Sequence, residues 1–144
     1  MKAEELRVGN IVFVDKNEEL CGTPMVIKGI SCNEMYGKHY AMIYKHGSDR
    51  LSCTYYPMIH TVRPIPLTEE ILLRCGFVNK GYGSLGYVFA RSLSCCITKS
   101  GDYFAFRVNT ISVANVFIRE IKYLHELQNL YYAITGEELK INLL

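Results

Sequence analysis

Ile121-Lys122-Tyr123-Leu124-His125-Glu126-Leu127-Gln128-Asn129-Leu130-Tyr131-Tyr132-Ala133-Ile134 is the longest stretch of helical periodicity in this chain. Ile121, Leu124, Leu127 or Gln128, Tyr131 and Ile134 fall at the i, i+3, i+4 and i+7 positions of one helix face. Tyr123, Leu130 and Tyr132 widen that face, so the helix is expected to lie largely buried against a sheet. It should begin near Ile118 or Ile121 and stop at Gly136. Beyond it, Leu139, Ile141 and Leu143 alternate with Lys140 and Asn142, the pattern of an edge strand.

Upstream of the helix the period shortens to two. A strand is expected from Gly86 to about Thr98, a turn at Ser100-Gly101-Asp102, and strands at Tyr103–Val108 and Ile111–Phe117. Before these, Thr68 is placed to cap a short helix, with Glu69 and Glu70 in its first turn and Gly76 at its exit. Arg63-Pro64-Ile65-Pro66 marks a boundary, because neither helix nor central strand tolerates two prolines there. The first part of the chain reads as short strands: one ending at Val14 after a lead-in from Leu6 and a Gly9-Asn10 turn, then Met25–Ile30, His39–Lys45, Leu51–Tyr56 and Met58–Val62. Such spacing suggests a small barrel, and the Leu6-Arg7-Val8-Gly9-Asn10-Ile11-Val12 opening is similar to the first strand of Src-homology-three-like barrels. The expected fold is therefore α+β. A barrel-like β module over 1–63 is joined by a 64–66 linker to a helix–β-hairpin–helix module over 67–144, whose C-terminal helix packs on a sheet.

The chain has 144 residues, 49% hydrophobic and 21% charged, which excludes disorder and is long enough to build a core without staples. No apolar run approaches the length of a membrane span, and the acidic Met1–Leu6 start lacks an apolar signal segment. Six cysteines without a Cys-x-x-Cys pair read as reduced thiols, so a cytoplasmic location is expected. No metal or other cofactor is expected either, because no His or Cys spacing suits a zinc tetrahedron.

Gly81-Tyr82-Gly83-Ser84-Leu85-Gly86 matches G-x-G-x-x-G, where glycines let backbone approach phosphates. A dinucleotide loop must follow a strand and open a helix; this one follows a helix and opens strands, so it reads as a connection or hairpin turn. No Gly-x-Ser-x-Gly elbow or recognisable triad is present, so no catalytic residue is expected, with a small hydrolase the distant alternative.

Two clusters combine rings with cations, as single-strand binding requires. One spans Lys38, His39, Tyr40, Tyr44, Lys45, Tyr55 and Tyr56; the other comprises Lys80, Tyr82, Tyr87 and Arg91. The second lies within 71–101, a stretch that holds Arg74, Lys80, Arg91 and Lys99 and no acidic residue. The net charge of +2 does not by itself mark a nucleic-acid binder. On the long helix, His125, Gln128 and Asn129 form a polar edge that could meet a partner or bond loop carbonyls of the same chain.

Pro64-Ile65-Pro66-Leu67-Thr68-Glu69-Glu70-Ile71-Leu72-Leu73-Arg74-Cys75-Gly76-Phe77 and Ile121–Leu139 together resemble a family of small proteins, a domain of unknown function common in gut Bacteroides-type bacteria, their phages and mobile elements. The resemblance implies a cytoplasmic accessory protein and brings no activity, cofactor or catalytic residue. The expected function is a non-enzymatic interaction protein, with an unknown protein partner or self-association through a sheet edge. The alternative is an accessory protein that binds single-stranded nucleic acid through the aromatic and basic surface. No membrane partner is expected.

Overall fold

A computed structural model describes residues 2–15, 20–33, 35, 37–48, 54–81, 84–90, 93–110 and 112–143. Its contacts divide the chain into two units: residues 1–65 with 124–130 and 143–144, and residues 66–123 with 131–142.

The first unit is built on β1 (Ile11–Val14), β2 (Met25–Asn33), β3 (Lys38–Lys45) and β4 (Val62–Pro64), in the antiparallel order β3-β2-β1-β4. β1 pairs on both sides, with β2 and with β4. The outer edge of β3 is met by the stretch that leads into β4. Tyr55 and Ile43 exchange both backbone hydrogen bonds at 2.9 Å, Ala41 N–H donates to Pro57 C=O, and Tyr40 bridges Met58. A 3-10 turn at Ile59–Thr61 then carries the chain round to β4. One continuous segment thus borders both sides of the three strands β3, β2 and β1. Val12, Met25, Ile27, Ala41, Ile43 and Val62 have no exposed surface and form the centre of the core inside.

The second unit holds α1 (Glu69–Arg74) and five strands: β5 (Val78–Gly81), β6 (Ser84–Ala90), β7 (Leu93–Ser100), β8 (Tyr103–Thr110) and β9 (Val116–Ile121). They lie in sequence order as an antiparallel meander. Along β6–β9 one face buries Leu85, Cys95, Ile97, Phe104, Phe106 and Ile121. Thr68 accepts from the Ile71 N–H as the cap of α1, and Gly76 leaves the helix at φ +87°, a conformation that favours glycine.

The molecule is mainly β, which corrects the α+β expectation. The helix–β-hairpin–helix module is instead a five-stranded meander. Its leading helix α1 has six residues, less than two turns, and α2 (Leu124–Thr135) is the one long helix among the described residues. Ile118–Ile121, expected at the start of the helix, belongs to β9. The run Val116-Phe117-Ile118 suits a strand, and β8 offers it backbone partners. Ser112–Asn115, expected within a strand, is a turn in which Asn115 takes φ 58°. The single strand expected from Gly86 to Thr98 is divided between β6 and β7, and Val78–Gly81, for which the sequence suggests no element, pairs along β6. No strand forms in the described tail, although Leu139 is buried and Asn142 N–H donates to Arg74 C=O.

In α2 the residues Leu124, Leu127, Gln128 and Tyr131 are buried at the expected spacing, while Tyr132 and Ala133 are exposed. Residues 124–130 cluster with the first unit and 131–135 with the second. Gln128, 2% exposed, accepts from the Ile11 N–H at 2.8 Å and donates to Gly9 C=O at 3.0 Å. Replacing Gln128 by Leu leaves a buried N–H and C=O without these partners. The variant should lose about 1–3 kcal/mol of unfolding free energy in urea titration. A change below about 0.5 kcal/mol would show that this side chain does not anchor the helix.

Candidate functional site

Lys38 and Tyr40 stand two residues apart on β3 and so share the face opposite Ala41 and Ile43, which fill the core. Closure of the sheet brings Tyr55, Tyr56, Pro57 and Met58 alongside them. Together with Asp15 and Thr61 they line a cleft of about 580 Å³. Its aromatic lining is graded: Tyr40 and Tyr55 are half-buried, Tyr55 packs against the core, and Tyr56 is 60% exposed. Thr61 is held over Met58 by its own hydroxyl at 2.8 Å, and its C=O accepts from the Asp15 N–H. The Asp15 carboxylate is engaged by Arg63 Nε at 2.5 Å, so the acid at this rim already has a cation beside it.

A second cleft of about 570 Å³ adjoins the first and shares Lys38 and Met58 with it. Its polar lining comprises Lys2, His39 and His60 together with Glu4. Lys38 therefore stands where an aromatic cleft meets a basic one. Such an arrangement can take flat rings on one side and anionic oxygens on the other, through stacking and charge-assisted hydrogen bonds.

The remaining predicted residues have other places. Tyr44, opposite Val26 in β2, is 8% exposed and lines neither cleft. Lys80 is exposed on β5, with its stem across Gly86, where an added Cβ would lie 2.8 Å from the Lys80 Cε. Tyr87 follows Gly86 on β6 and points to the other face, with its ring 5.0 Å from Phe77 and edge-on at 5.7 Å to Tyr131. Lys80 and Tyr87 thus do not share a surface; Tyr82 and Arg91 lie outside the described residues. The glycine motif runs from Gly81 at the end of β5 to Gly86 inside β6, a strand-to-strand position. On α2, His125 is buried, and Gln128 is committed to Gly9 and Ile11. Asn129 accepts from Asn10 at 2.8 Å and from Arg7 at 3.3 Å, and donates to Glu5 C=O.

Lys2, His60 and Met58 were not among the predicted residues. Lys2 precedes an N-terminal 3-10 turn and His60 sits in the turn before β4, so only the closed sheet brings them to Lys38. No local sequence signal announces that meeting.

Burial pushes the thiols of Cys75 and Cys95 up to about 12, with the charge of neighbouring Cys96 adding to the rise at Cys95 and a Tyr87 backbone hydrogen bond opposing it. A thiol so placed is a poor nucleophile at neutral pH. Among the described residues no group of three or more His, Cys, Asp or Glu side chains is placed to hold a metal ion. No described helix is long and apolar enough to cross a membrane. Comparison with protein-family models, curated proteins and solved structures finds no match to this chain.

Because these two thiols ionise in the unfolded chain near their ordinary value of 9.0 but in the folded protein only near 12, unfolding releases protons between those values. Stability should therefore fall as pH rises from about 9 to 12, with a slope up to about 1.4 kcal/mol per pH unit for each thiol. Urea unfolding across that range checks this, and Cys75→Ala with Cys95→Ala should flatten the slope. An unchanged slope in the double variant would refute the assignment.

Proposed function

We propose that the chain is a non-catalytic binding protein of the cytoplasm, and that its adjoining clefts hold a single strand of nucleic acid. The reading is carried by one observation: Lys38 lines both the cleft of Tyr40, Tyr55 and Tyr56 and the cleft of Lys2, His39 and His60. Bases stack on the tyrosine rings, each worth about 1–3 kcal/mol, and the backbone phosphates lie toward the lysines and histidines. Tyr56, the most open of the three rings, is the platform a base reaches first. The pairing of Asp15 with Arg63 lowers the repulsion a phosphate would meet at the aromatic rim.

The five described cysteines are free thiols, in keeping with a reducing compartment. An accessory role in handling phage or mobile-element nucleic acid agrees with the family resemblance of Pro64–Phe77 and Ile121–Leu139.

Fluorescence anisotropy with a labelled single-stranded oligonucleotide tests the proposal. Binding should appear at about 50 mM salt and weaken steeply as salt rises. Lys38→Ala should make the slope of log affinity against log salt shallower by about 0.7, the share of one phosphate contact on a single strand. Tyr56→Ala should weaken binding by about 1–3 kcal/mol with little change in that slope. Retention of neither DNA nor RNA single strands at low salt overturns the proposal.

A further inference from the structure

β9 is the last strand of its sheet, and among the described residues no strand pairs with its outer side. At the C-terminal end the edge is taken: Leu67 N–H donates to Lys122 C=O at 2.8 Å, and Pro66 bridges Tyr123. Residues 116–120, short of that point, are all exposed. They include Val116, Phe117 and Ile118 at 40%, 53% and 43%, with Val113 at 53% just before them. The opposite edge is different. β5 has four residues and carries Asn79, Lys80 and Gly81, the kind of short, polar strand that discourages pairing. An open apolar edge beside a guarded one marks the side where another strand is accommodated.

The register with β8 identifies that strand. Phe117 stands opposite Arg107 and Glu120 opposite Ala105, with a bulge between them. Ala105 and Arg107 are two apart on β8, so Phe117 and Glu120 share one face although they are three apart. That face therefore carries two rows. One holds Arg107, its guanidinium 5.9 Å from the centre of the Phe117 ring; the other holds Ala105 and Glu120. A two-fold axis normal to the sheet, passing between the rows, exchanges them. Phe117 of one copy then lies opposite Glu120 of its mate. Arg107 and the mate's Glu120 fall on one row, two strands and about 10 Å apart at their backbones, within reach of two long side chains. The contact is made twice around the axis, and Arg119, which is exposed, stands diagonally across the axis from its mate.

We propose that β9 pairs antiparallel with β9 of a second copy of this chain, joining two five-stranded sheets into one of ten strands. Pairing adds backbone hydrogen bonds along the edge and covers Val116, Phe117 and Ile118, while Arg107 and Glu120 fix the register.

Sedimentation equilibrium of the full chain over a wide concentration range tests this, with a charge exchange as its control. The wild type should dimerise reversibly. Arg107→Glu alone sets glutamates at 107 and 120 on each shared row, and Glu120→Arg alone sets two arginines there. Each should raise the dimer dissociation constant by at least about tenfold. Mixed in equal amounts, the two variants should form a heterodimer near wild-type strength, because both rows again pair opposite charges across the copies. Both residues are partly or fully exposed, and circular dichroism checks that each variant is folded. A strictly monomeric wild type, unweakened single variants, or a mixture no stronger than its components each overturns the proposal.

Discussion

The closure of the first sheet by the segment from Tyr55 to Pro64 is the constraint from which the candidate site follows. The three strands β3, β2 and β1 have two edges of unpaired backbone groups, and leaving such edges open invites pairing with other chains. Here one segment serves both: Tyr55, Pro57 and Met58 lie along β3, and Val62–Pro64 lies along β1. The 3-10 turn between them must bridge the end of the sheet, and it carries His60 and Thr61. Lys38, Tyr40, Tyr55, Tyr56 and His60 are neighbours because the sheet is closed in this way, and the clefts they line are its outer surface. Pro57, which has no N–H to donate, still contributes its carbonyl to Ala41.

Local signals in the sequence were strongest where structure is decided by neighbours along the chain. Thr68 and Gly76 delimit α1 by capping chemistry that a few residues suffice to specify. The buried stripe Leu124, Leu127, Gln128 and Tyr131 follows from a period that any helix imposes. Where the decision is made across space, those signals fail. Ile118–Ile121 can continue a helical pattern, and only the proximity of β8 turns it into a strand. The same limit governs the site. Lys38, Tyr40, Tyr55 and Tyr56 were visible as an aromatic and basic cluster, while Lys2 and His60 join them through folding alone. Lys80 and Tyr87, close in sequence, part company because Gly86 and Tyr87 are consecutive on a strand and point to opposite faces.

The two sheets meet the edge problem in opposite ways. The first closes on its own chain. The second is a meander whose strands follow one another without return, so two edges are inevitable. One of these is kept short and polar at β5, and the other is partly capped by Leu67 and Pro66. What is left at β9 is an exposed run in which Val116, Phe117 and Ile118 precede Arg119 and Glu120. Its bulge has a further effect: it brings Phe117 and Glu120 to one face and so sets an aromatic and an acid beside Arg107.

Polar side chains on α2 show why a helix this apolar keeps any amides at all. Leu6–Asn10 leads into β1 without regular pairing, and its backbone groups and the Ile11 N–H need partners where burial removes water. Gln128 supplies a donor and an acceptor to Gly9 and Ile11, and Asn129 does the same for Glu5, Arg7 and Asn10. A leucine at either position would bury more apolar surface but leave peptide groups unbonded, at a cost of the same order as the gain. Amides resolve that conflict because each presents a donor and an acceptor on a flat group whose reach matches a neighbouring chain. Gln128 and Asn129 of this helix are thus occupied with the chain's own N-terminal segment.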